Sequence, residues 1–356
     1  MHPHLPAGLT RRRKPRTPLV VAGVLAVAVA GAAATPALAP VDPHPATSFP
    51  STGTTTDQVA LVSSSARIEL RRHRGSIVGD GGTLYVANRT TFRPRRIEVH
   101  LPPRVRARSW AVVDLETGRL LGKHRARAWL PQASTMKLLT AVTAAKIVDR
   151  QTPHKVSRFE ARQICSCAGL VRGYRYDFRT LMAGMLLPSG NDAAEALAGS
   201  HPDGREAFYR AMNRTARRLG AADTRARNAS GLTAYGSHSS ARDLVLLLRA
   251  AIRRPAIASV LRLRSARIAS VEGHHAHTVW RETDYPNMYP RSLGKSGYTT
   301  PAKNTLVVAT WIGGHHIGVA TMGAPGGYST SGTRALTTWA SNNFAGLRAV
   351  GRLPYS

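Results

Sequence analysis

The sequence predicts an α/β fold in which strands from both ends of the domain form one antiparallel sheet, flanked by helices and interrupted by a mostly helical insert. Three observations support it. SWAVVDLETGRLLGKH, from Ser109, alternates apolar and polar residues around Glu116-Thr117-Gly118, which is a hairpin pattern. TLVVATWIGG and HHIGVATMG, near the other end, read as two paired strands, followed by a closing helix in RALTTWASNNFAGL. In the long stretch between these signals, apolar residues recur three and four positions apart, the period of helices that bury one face.

The first residues stand outside that fold. RRRKPR from Arg11 is a basic region, LVVAGVLAVAVAGAAA from Leu19 is apolar, and ATPALA ending at Ala39 offers small residues for cleavage. This order predicts an export signal over residues 1–39, or a membrane anchor where it is retained. Residues 40–107 are read as a linker and a basic segment. PVDPHPATSFPSTGTTTD has the composition of solvated chain, whereas VALV and TLYVAN are short strand signals interrupted by RRHRGS and FRPRRIEV. The compact domain is placed at 108–349.

The chain of 356 residues carries a formal net charge of +31, and only seven of its 50 cationic side chains are lysines. The excess runs along the whole sequence, so it describes a basic surface that attracts polyanions such as the phosphate-rich polymers of a cell wall. No nucleic-acid-binding module accompanies it, and nucleic acid is not expected as a partner. Cys165 and Cys167 lack the further ligands of a structural zinc site and are read as at most a local disulfide clip in an oxidising compartment. His274, His275 and His277, and the pair His315 and His316, fall beside turns with no acidic residue at ligand spacing; no metal is expected, and no cofactor is implied.

Within the domain, a helix is predicted from Ser134 to about Asp149, and FRTLMAGMLLPSGNDAAEALAG reads as two helices broken at Pro188-Ser189-Gly190. REAFYRAMNRTARRLG and SARDLVLLLRAAI are amphipathic helices. Three short motifs fall at the breaks of this pattern. Ser134 and Lys137 lie one turn apart where the first helix begins, so the lysine can reach the serine hydroxyl, and a neutral amine there could take its proton. By itself the spacing favours a helix cap and a solvated lysine, and Ser292 and Lys295 repeat it by accident. Ser189 and Asn191 sit in a turn between two helices, and Lys295-Ser296-Gly297 opens the strand region.

The order Ser-x-x-Lys, Ser-x-Asn, Lys-Ser-Gly, with steps of 55 and 106 residues between motif starts, resembles the penicillin-recognising serine enzymes. LLPSGNDAAEALA, NASGLTAYGSHSSARDL, LGKSGYT and AVVDLETGRLL look like the D-alanyl-D-alanine carboxypeptidase family over roughly residues 108–345, and the Cys165–Cys167 stretch also resembles some members. That resemblance implies a β-lactamase/transpeptidase-like fold and a serine D,D-carboxypeptidase trimming peptidoglycan stem peptides that end in D-Ala-D-Ala, with β-lactams as acylating agents. It implies Ser134 as the acylated nucleophile, Lys137 as its base, and Ser189 and Asn191 as proton relay and amide holder. Lys295 and Ser296 would bind the terminal carboxylate. The N–H groups of Ser134 and Tyr298 would form the oxyanion hole, with Gly297 and Thr299 lining the same strand.

Several residues depart from the family pattern. Ser296 stands for the commoner threonine, Arg291 and Lys303 occupy positions where glycine is common, and WRETDYPN lacks the usual Thr-Asn. A serine β-lactamase of the same fold is the nearest rival, but ARRLGAADTRARNASG has no glutamate to activate a deacylating water and its Asp223 lacks the expected context, so slow release of penicillin is expected. A catalytically weak wall-binding protein is the second.

Overall fold

A computed structural model describes residues 102–282, 289 and 291–354, and two further strands at 82–87 and 94–99. The predicted export segment, the Pro/Ser/Thr-rich linker, VALV and the Thr283–Asn287 part of WRETDYPN lie outside the described residues.

Strands β1 (Gly82–Ala87) and β2 (Pro94–Val99) pair antiparallel, Gly82 opposite Val99 and Ala87 opposite Pro94. TLYVAN was legible as β1. PRRIEV was not legible as β2, because its strand character comes from pairing rather than from alternation.

The domain's sheet contains β3 (Ser109–Asp114), β4 (Leu120–His124), β9 (Leu293–Thr299), β10 (Lys303–Ile312) and β11 (His315–Ala324), in the order β4-β3-β11-β10-β9 with every pairing antiparallel. The early hairpin therefore joins strands about two hundred positions away, Val112 opposite Val319. The Asp114 carboxylate makes the β3–β4 turn, accepting from the N–H groups of Glu116 and Thr117 and from the Thr117 hydroxyl.

The expected alternation of buried and exposed residues in β3 is absent: all six are buried. The sheet is covered on both faces. Ala111, Val113, Val307, Ala309 and Ala320 face the main helical core, whereas Trp110, Val112, Leu121, Ile317 and Val319 face Leu336, Trp339 and Ala340. A strand between two apolar layers keeps its period of two, but both halves of the period are apolar.

Between β4 and β9 the chain is mostly helical. A 3₁₀ turn (Ala133–Met136) leads into α1 (Lys137–Ile147); α2 (Arg158–Ala161) follows β5 (His154–Lys155), which pairs with β6 (Arg175–Tyr176). Then come α3 (Phe178–Leu186), α4 (Asn191–Gly199), α5 (Gly204–Arg218), α6 (Ala241–Ile252) and α7 (Pro255–Arg262). Strands β7 (Ser265–Ile268) and β8 (His277–Trp280) form a small hairpin, and α8 (Tyr328–Asn342) closes the outer face. Asp177 and Ser240 cap α3 and α6 by accepting from Thr180 N and Asp243 N, and Ser157 with Glu160 forms a capping box at α2. Proline at the first position starts α7.

Leu336, fully buried between α8 and the sheet, is the plug of the outer layer. Leu336→Ala is expected to cost about 2–5 kcal/mol in chemical denaturation and to leave penicillin acylation of the folded fraction unchanged.

Candidate active site

Ser134 stands in the 3₁₀ turn and not in the first turn of an α-helix; α1 begins at Lys137. Two non-glycine residues here take left-handed backbone, Ala133 (φ +50) directly before Ser134 and Ser189 (φ +63) before α4. Each such conformation costs about 1–2 kcal/mol, and strain of this kind concentrates where a turn must aim a side chain.

Lys137 is fully buried. Its Nζ lies 2.9 Å from Ser134 Oγ, 2.7 Å from Asn191 Oδ1 and 2.8 Å from the Ser230 carbonyl oxygen. A neutral amine has two N–H donors and one lone pair. With Asn191 Oδ1 and the Ser230 carbonyl as acceptors for the donors, the lone pair is left for the Ser134 proton. Burial holds the Lys137 pKa well below the usual lysine value, and the charge of Lys295 lowers it further, while Glu282, Glu195 and Asp192 oppose both.

Lys295 projects from the edge strand β9 and is 1% exposed. Its Nζ donates to the Ser296 carbonyl at 3.0 Å and pairs with Glu282 Oε2 at 3.9 Å. Burial lowers its pKa to about 8, against the pull of Glu282. Gly297 is where β9 meets the Ser134 turn: a Cβ there would stand 2.5 Å from Ser134 N and 3.0 Å from Ala133 Cβ. The strand can approach so closely only without a side chain at this position.

Two buried carboxylates of α4 hold the surrounding loops. Asp192 accepts from Ala168 N (2.8 Å) and Leu170 N (3.0 Å), and Glu195 accepts from Ala229 N (3.0 Å), Ser230 N (3.1 Å) and the Tyr209 hydroxyl. Glu195 thus sets the Ser230 carbonyl against Lys137. Burial pushes the Glu195 pKa up, and its three donors restrain that shift. Cys165 and Cys167 are joined by a disulfide, and the loop that contains it presents the Ile164 and Ser166 carbonyls to Asn191 Nδ2 (2.5 Å) and N (2.8 Å). The clip is therefore part of what positions Asn191. Gly231 (φ +82) passes beside Ala133, whose oxygen would be 2.1 Å from an added Cβ.

Of the residues singled out by sequence, Ser134, Lys137 and Asn191 share one hydrogen-bond network, and Lys295 and Gly297 border it. Ser189 is buried at the head of α4, and no hydrogen bond joins it to Ser134 or Lys137 among the described residues. Thr299 Oγ1 accepts from the Thr233 hydroxyl at 3.2 Å, Ser296 is half-buried, and Tyr298 is 61% exposed. Sequence reasoning did not assign Ser230, Glu195, Asp192 or Glu282. NASG, with Asn228 Oδ1 accepting from Gly231 N at 2.8 Å, carried a turn signal that could have marked the first. The repeated spacing at Ser292 is accidental: just before β9 its hydroxyl turns to Tyr289 O (2.7 Å) and Thr310 Oγ1 (2.9 Å). Asp223 is taken up by Arg127 and Trp129 Nε1. His277 Nε2 bonds to Ala168 O and His316 Nδ1 to Glu116.

A serine sharing its proton with a buried amine, between a five-stranded antiparallel sheet and a helical insert, defines a serine acyl-transfer enzyme of the penicillin-binding type. The family model for D-alanyl-D-alanine carboxypeptidase matches residues 97–326. D-alanyl-D-alanine carboxypeptidase DacB2 of Mycobacterium tuberculosis is 35% identical over 219 residues, 61% of this chain and 74% of that protein. The crystal structure of a D-alanyl-D-alanine carboxypeptidase from the same organism superposes with TM-score 0.64 at 32% identity, covering 71% of this chain and 97% of the other. The Streptomyces K15 DD-transpeptidase, at 23% identity, shares the fold with TM-score 0.63, over 68% of this chain and 99% of its own. The chain belongs to the D-alanyl-D-alanine carboxypeptidase family and is a serine peptidase.

Gly297→Ala is expected to slow acylation by benzylpenicillin at least a hundredfold, about 3 kcal/mol in the barrier, because its methyl would displace the Ser134 N–H. Stopped-flow acylation rates beside a denaturation curve check this; a normal rate would mean that β9 is free to move away.

Proposed function

We propose that the protein removes the terminal D-Ala from peptidoglycan stem peptides through an acyl-enzyme on Ser134. The contact of Lys137 Nζ with Ser134 Oγ at 2.9 Å, made by a lysine that burial drives toward its neutral form, carries the reading. The proton of Ser134 passes to Nζ as Oγ bonds to the penultimate D-Ala carbonyl carbon. The N–H groups of Ser134 and Tyr298 receive the oxyanion, and Lys295 with Ser296 receives the terminal carboxylate. Asn191 and Thr299 hold the peptide. The proton then returns, by way of Ser189, to the nitrogen of the departing D-Ala as the C–N bond breaks. Water subsequently hydrolyses the ester. With Asp223 engaged elsewhere, a β-lactam ester on Ser134 should turn over slowly.

The N-terminal signal supports export to the cell-wall side, with the same segment as an anchor where it is retained. The net charge of +31 supports association with anionic wall polymers.

Intact-protein mass after mixing with benzylpenicillin tests the nucleophile: a persistent adduct is expected with the native protein and none with folded Ser134→Ala. An adduct on that variant would remove Ser134 from the role, and rapid loss of the native adduct with consumption of penicillin would identify a β-lactamase.

Lys137 must be neutral to accept a proton, whereas Lys295 must be charged to bind a carboxylate. The kcat/KM for a D-Ala-D-Ala peptide should rise as pH passes through the depressed pKa of Lys137 and fall as it passes about 8 through that of Lys295. Lys295→Arg is expected to abolish the upper limb, since a guanidinium does not titrate there.

A further inference from the structure

Away from Ser134, a cavity of about 800 Å³ opens at the other end of β9. It is framed by the β3–β4 turn, the C-terminal ends of α6 and α7, and the residues leading into β9. Four arginines line it, Arg249, Arg253, Arg262 and Arg291, with Leu115, Ile252, Leu293 and Ala309 supplying an apolar floor and Trp311 (52% exposed) one wall. Among the described residues the lining has a single carboxylate, Glu116, and His316 Nδ1 already bonds to it at 2.9 Å. Trp311 is held by stacking on His316, with ring centroids 4.7 Å apart.

Part of this charge has an ordinary use. Arg249 donates to the Leu115 and Glu116 carbonyls at 2.7 and 3.0 Å and so holds the turn, and Arg253 and Arg262 stand at helix C-termini, where cations are favoured. Arg291 is different. It lies in a loop with φ +66, a conformation that a non-glycine residue adopts only at a cost, and it sets a further guanidinium beside three others. A concave space with guanidinium groups on its rim and an apolar floor favours an anion that carries an apolar body.

We propose that this cavity binds a phosphate-bearing anion, whose phosphate oxygens are held by the guanidinium groups of Arg262 and Arg291 while an apolar or planar body rests on Leu293, Ile252 and Trp311. Arginine's planar fork of donors matches phosphate geometry, and the volume suits a small organic ligand. The site is separate from the serine chemistry, and its test does not depend on turnover.

The test is isothermal titration of the whole folded chain with inorganic phosphate and with phenyl phosphate, at near-neutral pH and physiological ionic strength. Arg291→Gly and Arg210→Ala are compared with the native protein. The first variant relieves the left-handed strain and so should fold at least as well; the second removes the same charge from the exposed face of α5. Saturable one-to-one binding is expected, tighter for phenyl phosphate than for inorganic phosphate. It should weaken at least about tenfold in Arg291→Gly and less than about twofold in Arg210→Ala. Absence of saturable binding, or equal weakening in both variants, would overturn the proposal and leave only diffuse attraction to a basic surface. Where binding behaves as expected, co-sedimentation with phosphatidylglycerol vesicles distinguishes the source. Loss specific to Arg291→Gly indicates a lipid headgroup, and unchanged sedimentation indicates a soluble phosphate.

Discussion

The structure turns on one buried amine. Taking an ammonium out of water costs several kcal/mol, and a site that must bury a lysine either supplies a counter-ion or drives off its proton. Lys137 has no carboxylate in hydrogen-bond contact among the described residues; its three neighbours are a hydroxyl, an amide oxygen and a backbone carbonyl. That set suits a neutral amine, which can donate twice and accept once. The same burial that is unfavourable to the fold therefore favours an amine able to accept a proton, and Lys295, itself charged and close enough to act through space, adds to the effect.

Holding three hydrogen-bond partners around one nitrogen requires three chain segments to converge. The 3₁₀ turn before α1 brings Ser134, the start of α4 brings Asn191, and the loop before α6 brings the Ser230 carbonyl. Glu195 ties that loop to α4, Asp192 ties the disulfide loop to the same helix, and the disulfide loop in turn fixes Asn191. The short helix α4 is thus the common support of most of the site. Its buried carboxylates each accept backbone N–H groups that would otherwise be unsatisfied. Removing either would release a loop as well as a charge.

The edge position of β9 completes this arrangement. A strand inside a sheet has its backbone groups taken up on both sides, but β9 pairs only with β10 and leaves its other edge toward the nucleophile turn. Gly297 permits the contact, and Lys295 and Thr299 lie on the same side of the strand by the period of two. Lys303, like Arg291, takes positive φ (+55) in a turn flanking β9. The departures from the family pattern at these two positions therefore fall where glycine would be unstrained. They alter the approaches to the strand and leave its contact with Ser134 in place.

The sequence by itself determined the fold class, the hairpins, the major helices and the three motifs, because each depends on local period, a turn residue or a short spacing. The break at Pro188-Ser189-Gly190 separates α3 from α4 as its residues require, and Ser134 with Lys137 lies one turn apart on any helical geometry. Tertiary structure alone decided the rest. The full burial of β3 depends on α8 covering a face that the strand pattern assigned to solvent. The 3₁₀ start of α1, the left-handed Ala133 and Ser189, and the roles of Glu195, Asp192 and the Ser230 carbonyl arise from segments distant in the chain meeting around one nitrogen. Spacing can place a serine near a lysine, but whether that lysine is solvated or dehydrated depends on what packs over it, and no local pattern encodes that.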